Sequence, residues 1–274
     1  MRKISLSLLM CIVPVFCNAS DSDVGGYTIS SIYTGLIGKN SVTMNLIDSK
    51  NTVSGSYMYD KYKSKILLNG VSDSNSIELQ EKTINGTATI TLVLANKRFA
   101  GKWCDKKCVP ITIQTNNSFR NGELKGVEID DSDASNYKIK VKFKNKNEVV
   151  IISDAVDIPS VEFVDINNDG FYDLIATTDH RPNNGSQEVY LSGDNGFIKD
   201  DILSKENGTL VYDPYSKNVI FNSKDDCCNV FRKVVYSFHN SQAVKDDIIS
   251  FDYSLNKGKD SKGHEVLKDK FESY

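Results

Sequence analysis

Histidine is scarce in this chain. The three present, His180, His239 and His264, are far apart, so no zinc site of clustered imidazoles is expected. There is no H-E-x-x-H, no G-x-S-x-G and no glycine-rich phosphate loop. No nucleophile stands beside a base, so an enzyme is the minority reading. Positive charge is also lacking. Without Arg2 and Lys3, 31 basic residues face 36 acidic ones, a net charge of −5, which argues against a nucleic-acid partner. Long apolar runs are missing as well. The only one, Ile4 to Phe16, is too short to span a bilayer, so no stable membrane insertion is expected.

That run follows Arg2 and Lys3 and precedes Cys17, Asn18 and Ala19. The pattern is a secretory signal peptide cut after Ala19, with lipidation at Cys17 as the other possible processing. A periplasmic or secreted location follows, and the mature chain has about 255 of the 274 residues. Four cysteines survive cleavage: Cys104, Cys108, Cys227 and Cys228. Export makes disulfides plausible. Three residues between Cys104 and Cys108 suit a hairpin, so that pair is the expected bond. Pairing of the adjacent Cys227 and Cys228 stays open.

What remains is a succession of short alternating runs separated by Gly, Asn, Asp and Ser. Residues Tyr27 to Thr115 give eight such runs, broken at Gly38 to Asn40, Asn69–Gly70, Asn85–Gly86 and Ala95 to Lys97. They predict an antiparallel meander closed as a barrel or sandwich, covering residues 20–118. A polar stretch, Asn116 to Asn136, reads as a loose entry to a second β domain, 119–256. There Tyr137, Ile139, Val141 and Phe143 alternate with four lysines, which puts apolar and charged side chains on opposite faces. The lysines suit either an acidic partner or, more simply, solvent. Residues 257–274 read as a charged, frayed tail with at most a short helix near Val266 to Phe271. No strand–helix alternation occurs, so the fold class is all-β.

One segment carries chemistry. Asp165 to Asp173 reads D-x-N-x-D-G-x-x-D. Oxygens at alternate positions let a tight loop wrap a hard cation, so Ca²⁺ is the expected cofactor. Asp165, Asn167, Asp169 and Asp173 would offer side-chain oxygens, and Phe171 its carbonyl. Position 12 is Ala176 where an EF-hand has glutamate, and both flanks are strand-like. The loop is therefore expected to pin two strands, with a structural rather than catalytic ion. Three carboxylates so close repel unless a cation neutralises them, and nothing basic lies within the loop.

Two resemblances follow from these residues. Val53 to Tyr59, Ile66 to Gly70, Ile77 to Glu81 and Phe99 to Trp103 give G-x-Y-x-Y, L-x-G, L-x-E and G-x-W in order. This resembles a β module common at the start of bacterial periplasmic proteins. Phe163 to Leu174, with Leu203–Ser204, Tyr212 to Tyr215 and Val219 to Ser223, resembles the calcium-site domain of periplasmic lysozyme inhibitors and related immunity proteins. The resemblance implies a propeller-like or sandwich-like domain. It also implies a protein partner, a cell-wall hydrolase or toxic effector, that is blocked without catalysis. Some lysozyme inhibitors block with a Ser-Gly-x-x-Tyr loop. Ser54 to Tyr57 is one residue short of it and lies outside the calcium domain, so that role is not carried over. A calcium-stabilised adhesin or glycan-binding module is the other reading.

Overall fold

The computed structural model describes residues 26–83, 86–95, 98–133, 136–144, 146–181, 184–225 and 229–274. The expected signal peptide, Cys17, the Cys227–Cys228 pair and parts of two expected turns, at Asn85 and at Asn96 and Lys97, lie outside them. The fold is all-β. Eight strands form a meander: β1 (Tyr27–Ile37), β2 (Asn40–Ser49), β3 (Thr52–Tyr59), β4 (Ile66–Ser72), β5 (Ser76–Thr83), β6 (Gly86–Ala95), β7 (Arg98–Cys104) and β8 (Cys108–Gln114). β8 returns to β1, from Thr34↔Gln114 to Ile37↔Ile111, and closes the barrel. Alternation decides which side chains enter it. In β6, Ala88, Ile90 and Leu92 are buried while their neighbours are exposed. With Met44, Tyr57, Leu68 and Ile113 they fill the interior, as eight strands leave room for little else.

The Asn69–Gly70 break is a correction: both residues lie inside β4. Gly70 is there because of a close approach. A Cβ on it would lie 1.9 Å from the Glu78 carbonyl oxygen of β5. The motif glycine Gly101 is in the same position, 1.8 Å from the Thr91 oxygen. These glycines let neighbouring backbones press together where the barrel coils.

The remaining strands are β9 (Leu124–Asp130), β10 (Tyr137–Phe143), β11 (Val149–Ser153), β12 (Ser160–Val164), β13 (Asp173–Asp179), β14 (Ser186–Gly193), β15 (Gly196–Lys199), β16 (Thr209–Asp213), β17 (Asn218–Lys224), β18 (Val230–His239), β19 (Gln242–Asp252), β20 (Lys257–Lys259) and β21 (Glu265–Val266). β9 arises within the stretch expected to be a loose entry. Strands β12–β15 extend the barrel sheet, because β12 pairs in parallel with the first residues of β1, Tyr27 to Ser30. This parallel pair departs from the expected antiparallel scheme.

Strands β12–β14 of this layer are buried on both faces. Phe163, Leu174 and Tyr190 point to the β9–β11 sheet, packing with Ile139 and Val141. Their neighbours Val164, Ile175 and Val189 point the other way, to Val219, Phe221 and Val234 of the β16–β21 sheet. Two-sided burial explains why Leu174 to Ala176 is continuously apolar rather than alternating. The far face of the β16–β21 sheet is also covered. Val266 and helix α1 (Lys268–Glu272), through Phe271, pack on Ile220, Ile249 and Phe251. Residues 257–274 are thus a packed closing element, not a frayed tail.

Candidate functional site

The loop Asp165 to Asp173 joins β12 to β13, the strands of the central layer. Asn168 (φ 61°) and Gly170 (φ 89°) take left-handed conformations that turn the chain sharply. Asp165 is buried. Its Oδ1 accepts the Asp169 N–H at 3.0 Å, and its Oδ2 accepts the Gly170 N–H at 3.0 Å and the Asn117 amide at 2.8 Å. Asn167 Oδ1 also accepts from Asp169 N, and Asp169 Oδ1 accepts from Phe171 N at 2.8 Å. Asp173 is wholly buried and accepts the N–H groups of Ile166 (3.0 Å) and Ser192 (2.7 Å). Burial pushes the Asp165 carboxyl up to about 6 and Asp173 up to about 7, against the pull of these N–H donors and with the help of neighbouring carboxylates.

The structure supplies a cation that the loop's own sequence lacks. Arg120 Nη2 lies 3.2 Å from Asp169 Oδ2, and the guanidinium sits 3.9 Å over the Phe171 ring. Part of the charge compensation that the spacing assigns to a metal therefore comes from 49 residues away. The donor set fits a hard cation by chemistry: three carboxylates, one amide oxygen and the Phe171 carbonyl. The bridge between Ser118 and Phe171 runs through Gly170 O and Tyr172 N, so that carbonyl stays outside the ladder. Asp165 Oδ2 already accepts two hydrogen bonds, whereas Asp169 Oδ1 and both Asp173 oxygens accept one each and keep a lone pair. In this arrangement, however, no three acidic, histidine or cysteine side chains converge as a ready cluster among the described residues.

The loop also lies at the junction of barrel and layers. One edge of β1 divides between β12 and β8, and Ile32 N falls in the gap. Asn117 Oδ1 accepts that N–H at 3.1 Å while its amide donates to Asp165. Ser31 Oγ and the Tyr172 hydroxyl are 2.5 Å apart. Tyr215, in the turn between β16 and β17, donates its hydroxyl to Ser56 O at 2.9 Å and lies 2.8 Å from Ser56 Oγ. Tyr212 donates to Asn168 Oδ1 at 3.0 Å. Sequence reasoning missed Asn117 and Arg120, because both stand in a polar stretch without periodicity. Tyr212 and Tyr215 were legible only through the resemblance.

Between barrel and loop lies a cleft of about 530 Å³, walled by Ile32, Met58, Asn117, Asp165, Asn168 and Tyr215 among others. Ser54 to Tyr57 forms no protruding loop. It is part of β3, with Ser56 at the junction and Tyr57 in the barrel core. There Tyr57 and Trp103 both donate to Glu81 Oε2, at 2.8 and 2.9 Å. These are the tyrosine, glutamate and tryptophan of the N-terminal motif.

The other candidate groups are dispersed. Cys104 and Cys108 form the expected disulfide. On the β10 face, Lys140 and Lys142 meet Glu128 of β9, and Lys140 also meets Asp130, which leaves less charge for an acidic partner. Ser160 Oγ lies 3.2 Å from His180 Nε2, but Asp157 Oδ2 is 3.9 Å from Nδ1, beyond hydrogen-bond reach, and the His180 and Asp157 side chains are about half exposed. His264 pairs with Asp260, and His239 with Ser237. No helix among the described residues is long and apolar enough to cross a membrane.

No family model matches the chain, and no curated protein matches it. A solved structure described as a Xanthomonas type IV secretion system related protein aligns over 73% of this chain and 97% of its own, at 14% identity and a TM-score of 0.36. Likeness at that level carries no argument about function.

Proposed function

We propose that the protein is a periplasmic, non-catalytic binding protein that blocks a cell-wall hydrolase or a toxic secreted effector. The observation that supports this best is the junction. Ser31–Tyr172, Ile32–Asn117–Asp165 and Ser56–Tyr215 brace the barrel against the layered unit at three points. A surface fixed before contact loses little conformational freedom on binding, which is what a tight inhibitor needs. The resemblance of Phe163 to Leu174 and its companions to periplasmic lysozyme inhibitors supplies the target class. The signal-peptide pattern supplies the compartment. The absence of catalytic sequence motifs agrees with blockade rather than turnover.

In this reading the Asp165–Asp173 loop takes Ca²⁺ as a staple. Asp165, Asn167, Asp169, Asp173 and the Phe171 carbonyl would hold it, and the ion would supply positive charge at the junction. Its effect is on stability, through linkage to Ca²⁺ concentration. Affinity capture from periplasm with the mature protein should recover a hydrolase, whose activity then falls on titration. If every muramidase and amidase tested stays fully active, the inhibitor reading is wrong.

A further inference from the structure

The cleft between barrel and loop has features that a protein-docking surface does not require. Its Tyr215 wall is rigid. The hydroxyl is held by Ser56, and Lys65 Nζ covers the ring at 5.0 Å from its centroid, itself tied to Asp213 at 3.0 Å. Ile32 and Met58 add apolar surface. A fixed aromatic and aliphatic wall suits the C–H face of a pyranose ring. Beside it, Gln114 and Asn116 line the cleft with side-chain amides that have no hydrogen-bond partner among the described residues. Paired donor and acceptor atoms of this kind match vicinal sugar hydroxyls.

The charges select further. Asp169 is matched by Arg120, and Asp165 is turned into the loop on three hydrogen bonds. Lys63, after β3, and Lys217, in the β16–β17 turn, reach the cleft from its two walls. Neither has an ion-pair partner among the described residues. Both are exposed, so they are available to a ligand at no structural cost. The volume lies within the roughly 300–1,000 Å³ of small-ligand pockets. That is more than a lone carboxylate or phosphate fills.

We propose that this cleft binds a short acidic oligosaccharide, one whose pyranose units carry carboxylates. Tyr215 stacks a ring, Gln114 and Asn116 bond its hydroxyls, and Lys63 and Lys217 hold its carboxylates. The site stands apart from hydrolase blockade and does not depend on it.

The test is calorimetric titration of the mature protein with two carboxylated probes, a trigalacturonate and a muramic-acid-containing trisaccharide. Maltotriose and acetate are the neutral and the free-carboxylate controls. At least one carboxylated trisaccharide should bind ten-fold or more tightly than maltotriose, and acetate should not displace it. Lys63→Gln with Lys217→Gln should weaken that binding at least ten-fold and flatten its salt dependence, with an unchanged circular dichroism spectrum. Gln114→Ala should weaken acidic and neutral sugars alike. Failure of both carboxylated probes to bind at millimolar concentration overturns the proposal. So does binding that survives the double lysine substitution, or that acetate competes away. Inhibition of a hydrolase by the double variant reads out the other function separately.

Discussion

At the scale of single residues, stability concentrates where a buried polar atom has a partner from elsewhere in the chain. Asn117 serves two at once, Ile32 N and Asp165 Oδ2. Asn117→Ala leaves one N–H unpaired and removes a donor from a buried carboxylate. It should lower unfolding free energy by roughly 2–4 kcal/mol in urea titration. Glu81→Ala strands the Tyr57 hydroxyl and the Trp103 indole N–H in the barrel, and roughly 2–5 kcal/mol should be lost. Asp169→Ala tests the staple differently. Ca²⁺ should raise the melting temperature of the wild type and leave that of the variant unchanged in differential scanning calorimetry. An equal response of the two proteins would remove Asp169 from the site. The nine-residue motif is legible in sequence because Asp and Asn recur in it at fixed spacing. Its partners Arg120 and Asn117 are not, since nothing local marks a residue that acts 48 or 49 positions away.

At the scale of elements, alternation told strands from turns almost everywhere that one face is wet. The β10 run, with buried Tyr137, Ile139, Val141 and Phe143, is the clearest case. Reading failed where another rule took over. Beside Asn69, Gly70 reads as a turn residue, yet it sits mid-strand against the Glu78 carbonyl. Gly70→Ala should therefore destabilise the barrel by about 3 kcal/mol or more, since backbone, not a flexible side chain, must give way. Its urea midpoint against wild type measures this. The β9 strand is hidden because, apart from buried Ile129, its residues are exposed or half-buried and show little hydrophobic contrast. The Cys104–Cys108 bond closes a loop of five residues between directly paired positions of β7 and β8. Its loss in the double alanine variant should lower stability by about 2 kcal/mol or less, because so short a loop has little closure entropy to remove.

At the scale of the whole molecule, the all-β class follows from pattern, while the layering does not. Period-2 reasoning assigns each strand one apolar face. It does not anticipate that β12–β14 would be covered on both, or that β1 would serve two units. The parallel β1–β12 pair joins residues more than 130 positions apart and has no sequence signature. A pH response belongs to this scale too. Glu206 joins the turn after β15 to β18 and β19. Burial works against its charge, but hydrogen bonds from Lys245 and Tyr236, with Arg232 nearby, hold its carboxyl below the usual glutamate range. The folded value is the lower one, so its stabilisation is present above pH ~4.3 and is lost as pH falls through the folded value. The gap between wild-type and Glu206→Gln urea midpoints should be constant from pH 7 to 5 and shrink below pH 4. A gap that widens on acidification would reverse the sign of this linkage.

The braced junction matters to the proposed blockade because it holds barrel, loop and layers in one fixed arrangement. The most direct test is to titrate purified mature protein into a panel of periplasmic muramidases and amidases and follow cell-wall hydrolysis. Blockade predicts stoichiometric loss of activity for at least one enzyme, with no turnover of substrate by the protein itself. Undiminished activity across the panel at a molar excess, or hydrolysis by the protein alone, would contradict it.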